Sequence, residues 1–102
     1  MTERVLPATV VASHLEACAA ELAAGPVPLG ELAEVLDHLV TGQRQISLAL
    51  ARVAGRLDTA RAAEALSLSG VLLAAASASG HAADALAASE HLVETIVDDT
   101  HL

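Results

Sequence analysis

Apolar residues recur at helical spacing along three stretches of the chain, with only short intervals between them. Val11, Leu15, Cys18 and Leu22 are spaced four, three and four, which predicts an amphipathic helix over about 9–24. The segment GPVP at 25–28 ends it, because Gly suits the C′ position and prolines cannot continue the backbone ladder. A second helix is expected over about 29–57, with Glu31 and Glu34 near its positive N-terminal dipole. Its seam is Leu29, Leu32, Leu36, Leu39, Gln43, Ile46, Leu50, Val53 and Leu57. That alternation of three and four, with one polar member, predicts coiled-coil-like packing.

A third helix is expected over about 60–97, after the tight LDTAR turn at 57–61, with Asp58 or Thr59 as its N-cap. SASG at 77–80 is a weak point where this helix could bend. Its best seam is Ala65, Leu68, Leu72, Ala75, Ser79, Ala82, Leu86, Ser89, Val93 and Ile96. The short turn makes helices 2 and 3 antiparallel neighbours. Counting away from it sets Leu39 and Leu36 near Ser79 and Ala82, so that large residues face small ones.

The helix lengths do not match, and that mismatch carries the main expectation. About sixteen residues make a first helix of roughly 24 Å. It reaches only the first half of helix 2 and the end of helix 3, leaving the hairpin arm from about Ile46 to Ala75 uncovered. Yet the arm is apolar nearly all round: Leu48 and Ala51 lie off the helix 2 seam, and Leu66, Val71 and Leu73 off the helix 3 seam. A helix apolar on every side is buried on every side. The sequence therefore predicts one all-α domain over 1–102, an antiparallel bundle of one short and two long helices. The hairpin of helices 2 and 3 is expected to pair with a second copy as a four-helix bundle. Its interface is expected at Ile46, Leu48, Leu50, Val53, Leu66, Leu68, Val71, Leu72 and Leu73. Gly42 and Gln43, in LVTGQRQI at 39–46, are read as register-setting: a buried amide at an a position, beside a glycine that admits another backbone.

Composition supports helix and narrows function. There is no Phe, Tyr or Trp among the 102 residues, and Ala and Leu head the helix propensity scale. Thirteen acids against five basic residues, none of them Lys, give a formal charge of −8. Nucleic acid and anionic membrane surfaces need a basic footprint, so neither is expected as a partner. Arg44, Arg52, Arg56 and Arg61 cluster mid-chain, which favours antiparallel hairpins with each Arg-bearing tip near the other's acidic end. Segment 65–83 carries no formal charge and is nearly long enough to span a bilayer, but it is rich in Ala and Ser and closely flanked by Arg61, Glu64 and Asp84. A buried soluble helix is the preferred reading. The N-terminal stretch MTERVLPATVVASHLE lacks a signal peptide's continuous apolar core, and one Cys permits no internal disulfide. A cytoplasmic place is expected.

Candidate chemistry is sparse. His14 and Cys18 share a helix face, but Cys18 lies in the apolar stripe and reads as an inert thiol. Glu31, Glu34 and His38, and His91, Glu94 and Asp98, could form a carboxylate–histidine metal site. The inward Glu-x-x-His pairs of di-iron bundles are missing, and only Asp98 to His101 approaches that spacing, so solvated faces are preferred. HLVTG at 38–42 resembles the site of histidine phosphotransfer bundles in its His and Gly, but Thr41 stands where their Lys does. In length and hairpin content the chain is similar to the small helical-hairpin proteins exported by type VII secretion, without their Trp-x-Gly turn or Tyr-containing signal. The Arg-only, Ala-heavy composition is actinobacterial-like, which reflects a high-GC genome. No metal, cofactor or catalytic residue is expected. A non-enzymatic interaction module is, homodimeric through the arm. The alternatives are a small helical partner or chaperone in a hetero-complex, and a His/carboxylate metal-binding or phosphotransfer bundle.

Overall fold

A computed structural model describes residues 7–59 and 62–100. They form α1 (Ala8–Ala24), a 3₁₀ turn (Leu29–Glu31), α2 (Leu32–Asp58) and α3 (Ala63–Thr100), with no strand among them. The all-α architecture with one short and two long helices is as the periodicity predicts. α3 runs as one helix through SASG at 77–80.

The helix ends have local causes, not all of them the expected ones. Pro7 precedes α1, its carbonyl accepting the N–H groups of Val10 and Val11 at 3.0 and 3.2 Å. At the other end Gly25 is extended (φ −101°, ψ 156°), although its N–H still reaches the Glu21 carbonyl. The left-handed C′ geometry is therefore not used, and α1 stops because Pro26 and Pro28 supply no N–H. Thr59 closes α2: its hydroxyl donates to the Arg56 carbonyl at 2.8 Å. Asp58 is the last residue of α2 and Thr59 follows it, so neither caps α3.

α2 and α3 pack as an antiparallel hairpin over most of their length. Its core is made of small residues at intervals of seven: Val40, Ser47 and Ala54 on α2 against Ser69, Ala76 and Ala83 on α3. Ala54 and Ala83 are wholly buried, and Ser69 is 2% exposed. Two hydroxyls lock the register reciprocally, Ser47 donating to the Ala76 carbonyl at 2.7 Å and Ser69 to that of Ala54 at 3.0 Å. Ser69 also reaches the Asp58 carboxylate at 2.7 Å, sharing its one proton between two acceptors. Each inter-helix bond contributes on the order of 1 kcal/mol.

Two expectations are corrected by this seam. Three members of the α3 pattern move by one residue: Ser69, Ala76 and Ala83 take the buried places expected for Leu68, Ala75 and Ala82, and Leu68 is 49% exposed. Close approach of two backbones favours Ser69 over the bulkier Leu68, and the other two positions exchange one alanine for the next, following the helix turn that Ser69 sets. The register also differs, with Ala83 opposite Val40, which puts Ser79 and Ala82 more than one turn away from the Leu39 and Leu36 levels. α2 continues to Asp58 and α3 starts only at Ala63, so the hairpin pivots later than a turn at LDTAR implies.

α1 is different in kind. None of its residues is buried, and Leu15 is 53% exposed. Its stripe lies beside the first half of α2 across an open groove. The 38-residue α3, about 57 Å long, makes the chain elongated, 61 × 31 × 27 Å with a radius of gyration of 17.6 Å, against about 13 Å for a compact domain of 100 residues.

Candidate interaction surface

A helix advances 100° per residue, so the buried seam divides the hairpin into two faces. One carries Leu39, Gly42, Ile46, Val53, Leu68 and Val71. α1 lies on it, over a groove of about 480 Å³ lined by Leu15, Cys18, Leu22, His38, Leu39, Gly42, Gln43 and Ile46 among others. The other face carries Leu48, Ala51 and Gly55 of α2 with Leu66, Gly70, Leu73 and Ser77 of α3. A second groove of about 480 Å³, between Leu48, Ala51, Ser47 and Gly80, opens on this side. At its end Arg44 donates to the Asp84 carboxylate at 3.0 Å; both side chains are more than half exposed, so the pair contributes little.

The residues expected at an interface divide between these faces. Leu48, Val53, Leu66, Leu68, Val71 and Leu73 are exposed, Val71 at 64%, whereas Ile46, Leu50 and Leu72 are half-buried. Gly42 and Gln43 are half-buried beneath α1. Nothing lies within 4 Å of where a Gly42 Cβ would stand, so no backbone uses the room it leaves. The Gln43 amide makes no hydrogen bond to any described residue. Ser47, one turn further along α2, donates its hydroxyl to the Ala76 carbonyl.

The exposure adds up to an unusual total. The accessible surface is 7750 Å² for 10.3 kDa, whereas a folded monomer of that mass exposes about 5,400 Å². The large apolar side chains left open include Val11, Leu15 and Leu22 on α1 and Leu48, Val53, Leu66, Leu68, Val71 and Leu73 on the arm.

The histidines and acids gather no comparable site. Among the described residues, no three His, Cys, Asp or Glu side chains come close enough to hold a metal ion. His14 and Cys18 are both exposed on α1, and His101 lies outside the described residues. Residues Ala63–Ile96 form a helix long and apolar enough to cross a membrane by length and composition. The Arg44–Asp84 pair lies along that stretch, on the hairpin's surface. Comparison with protein-family models, with curated proteins and with solved structures finds no match. What sequence reasoning missed is the separation into two faces. The heptad alternation of small residues at 40, 47 and 54, and at 69, 76 and 83, was the signal that could have shown it.

Proposed function

We propose that this chain is a non-enzymatic helical interaction module that works in water by self-association through its hairpin arm, 46–75. The observation that carries it is the arm itself. Large apolar side chains stand in solvent on both sides of a well-formed seam, beyond the reach of α1. A stable homodimer buries about 800 Å² per partner or more. The surface in excess of a compact monomer's is roughly 2,300 Å². A second copy supplies helices of the same length and the same apolar surface, and the join closes on itself by two-fold symmetry. The surface charge of the hairpin, including the Arg44–Asp84 pair, favours water over lipid as its surroundings.

Sedimentation velocity of the purified full-length chain tests this. A dimer at micromolar concentration is the expected result, and Val71→Asp with Leu73→Asp should dissociate it. A stable, soluble monomer at 100 µM or so would reject self-association. It would leave the arm for a different helical protein, as in a small chaperone or secreted pair.

A further inference from the structure

Only one of the two hairpin faces is built to receive a second copy, and its residues repeat in a way that a two-fold axis can use. The face opposite α1 has a seam on each helix: Leu48, Ala51 and Gly55 on α2, and Leu66, Gly70, Leu73 and Ser77 on α3. Leu48, Leu66 and Leu73 are each about half exposed. Gly55 and Gly70 sit inside helices, where glycine is unfavourable, and at neither does any atom lie within 4 Å of the place a Cβ would take. Within one chain these glycines have no contact to justify them.

The spacing supplies the occupant. Leu48 and Gly55 are centred between Ala51 and Arg52. Gly70 and Leu73 are centred between Val71 and Leu72, and so are Leu66 and Ser77. The Ser69–Ala54 and Ser47–Ala76 bonds set Ala51 opposite Leu72 and Arg52 opposite Val71, so these centres lie at one height on the hairpin. A single two-fold axis across the face at that height therefore superposes all three pairs. We infer that a second copy docks antiparallel on this face, resting on the self-association proposed above. Leu48 then meets the partner's Gly55, Leu73 the partner's Gly70 and Leu66 the partner's Ser77. Every large residue lands on a small one, the knob-and-hole condition for close helix packing. The same rotation brings Arg44 to the level of the partner's Thr59, one residue from the partner's Asp58. A parallel dimer lacks this matching: at the same register Leu48 comes level with the partner's Ala75 and Gly55 with the partner's Leu68, neither on the facing seam, and the Arg-bearing tips lie side by side. The face under α1 meets this condition on α3 only, through Leu68 and Ala75; on α2 the same axis sets Ile46 against the partner's Leu57 and Leu50 against the partner's Val53, and α1 lies over part of that face.

Gly55→Ala and Gly70→Ala, with Gly42→Ala as the control from the other face, decide the matter by sedimentation velocity and urea unfolding of the full chain. All three fill open space in the free chain, so none should impair folding. The expected result is that Gly55→Ala and Gly70→Ala each weaken association at least tenfold while Gly42→Ala leaves it unchanged. Association that survives both substitutions overturns the docking face and leaves self-association standing. So does association lost through Gly42→Ala alone. A wild-type monomer rejects self-association and this face together.

Discussion

Two helix contacts in this molecule, both on α2, differ in kind. α3 meets α2 along a buried line of Ala, Ser and Val flanked by half-buried leucines such as Leu50 and Leu72, and that contact is closed. α1 meets α2 through Leu15, Leu22, Leu39 and Ile46, which are more apolar, and that contact stays open as a groove. Hydrophobicity therefore does not rank these contacts; closeness does. Small side chains let two backbones approach until dispersion and hydroxyl–carbonyl bonds act together, whereas branched leucines without matching hollows hold the helices apart.

Breaking the closed contact should have the largest effect. Ala83→Leu forces a large side chain into a wholly buried position, and urea denaturation should show a loss of about 1–3 kcal/mol or more. Ser69→Ala removes the bond to Ala54 and leaves Asp58 without its donor, for an expected loss of about 1–2 kcal/mol by the same measurement. Gln43→Leu acts on the open contact with the reverse sign. It puts an apolar side chain into the groove under α1 and should raise stability by up to about 1 kcal/mol. If Gln43 sets register between copies, the same substitution broadens the oligomer distribution; if it only spaces α1 from α2, the distribution stays narrow. Leu15→Ala should cost less than about 1 kcal/mol, well below the roughly 2–5 kcal/mol typical of a buried leucine. A larger loss there would mean that α1 is closed over α2 in solution. Arg44→Ala sharpens the comparison least, with an expected change within about 0.5 kcal/mol that vanishes in high salt.

The helices themselves were legible in the sequence. Their caps and breakers, GPVP and the Asp58–Thr59 region, mark the boundaries to within a few residues, and the shortness of α1 follows from them. The α3 seam was not legible at its alternate positions, because a pattern weighted by apolar bulk prefers Leu68 to Ser69. In an alanine-rich helix many stripes are equally apolar, so only the partner helix decides which one is buried. The openness of the α1 contact was likewise hidden. Periodicity gives the direction of the stripe Val11, Leu15, Cys18 and Leu22, but not whether α2 offers hollows to fit it. The candidate interface residues of the arm were read as one set and not as two faces, since assigning faces requires the register that Ser47 and Ser69 fix.

The two reciprocal hydroxyl bonds also bear on how the chain reaches its fold. Ser69 and Ala54 are 15 residues apart, Ser47 and Ala76 are 29, and Arg44 and Asp84 are 40. Loop closure is least costly for the first of these, so the hairpin should nucleate at its tip and zip toward its base. Substitutions at the Ala54–Ser69 level should then slow folding, while those at the Val40–Ala83 level should mainly speed unfolding. On that route the tip of the hairpin is the first part to form, before α1 has found its place.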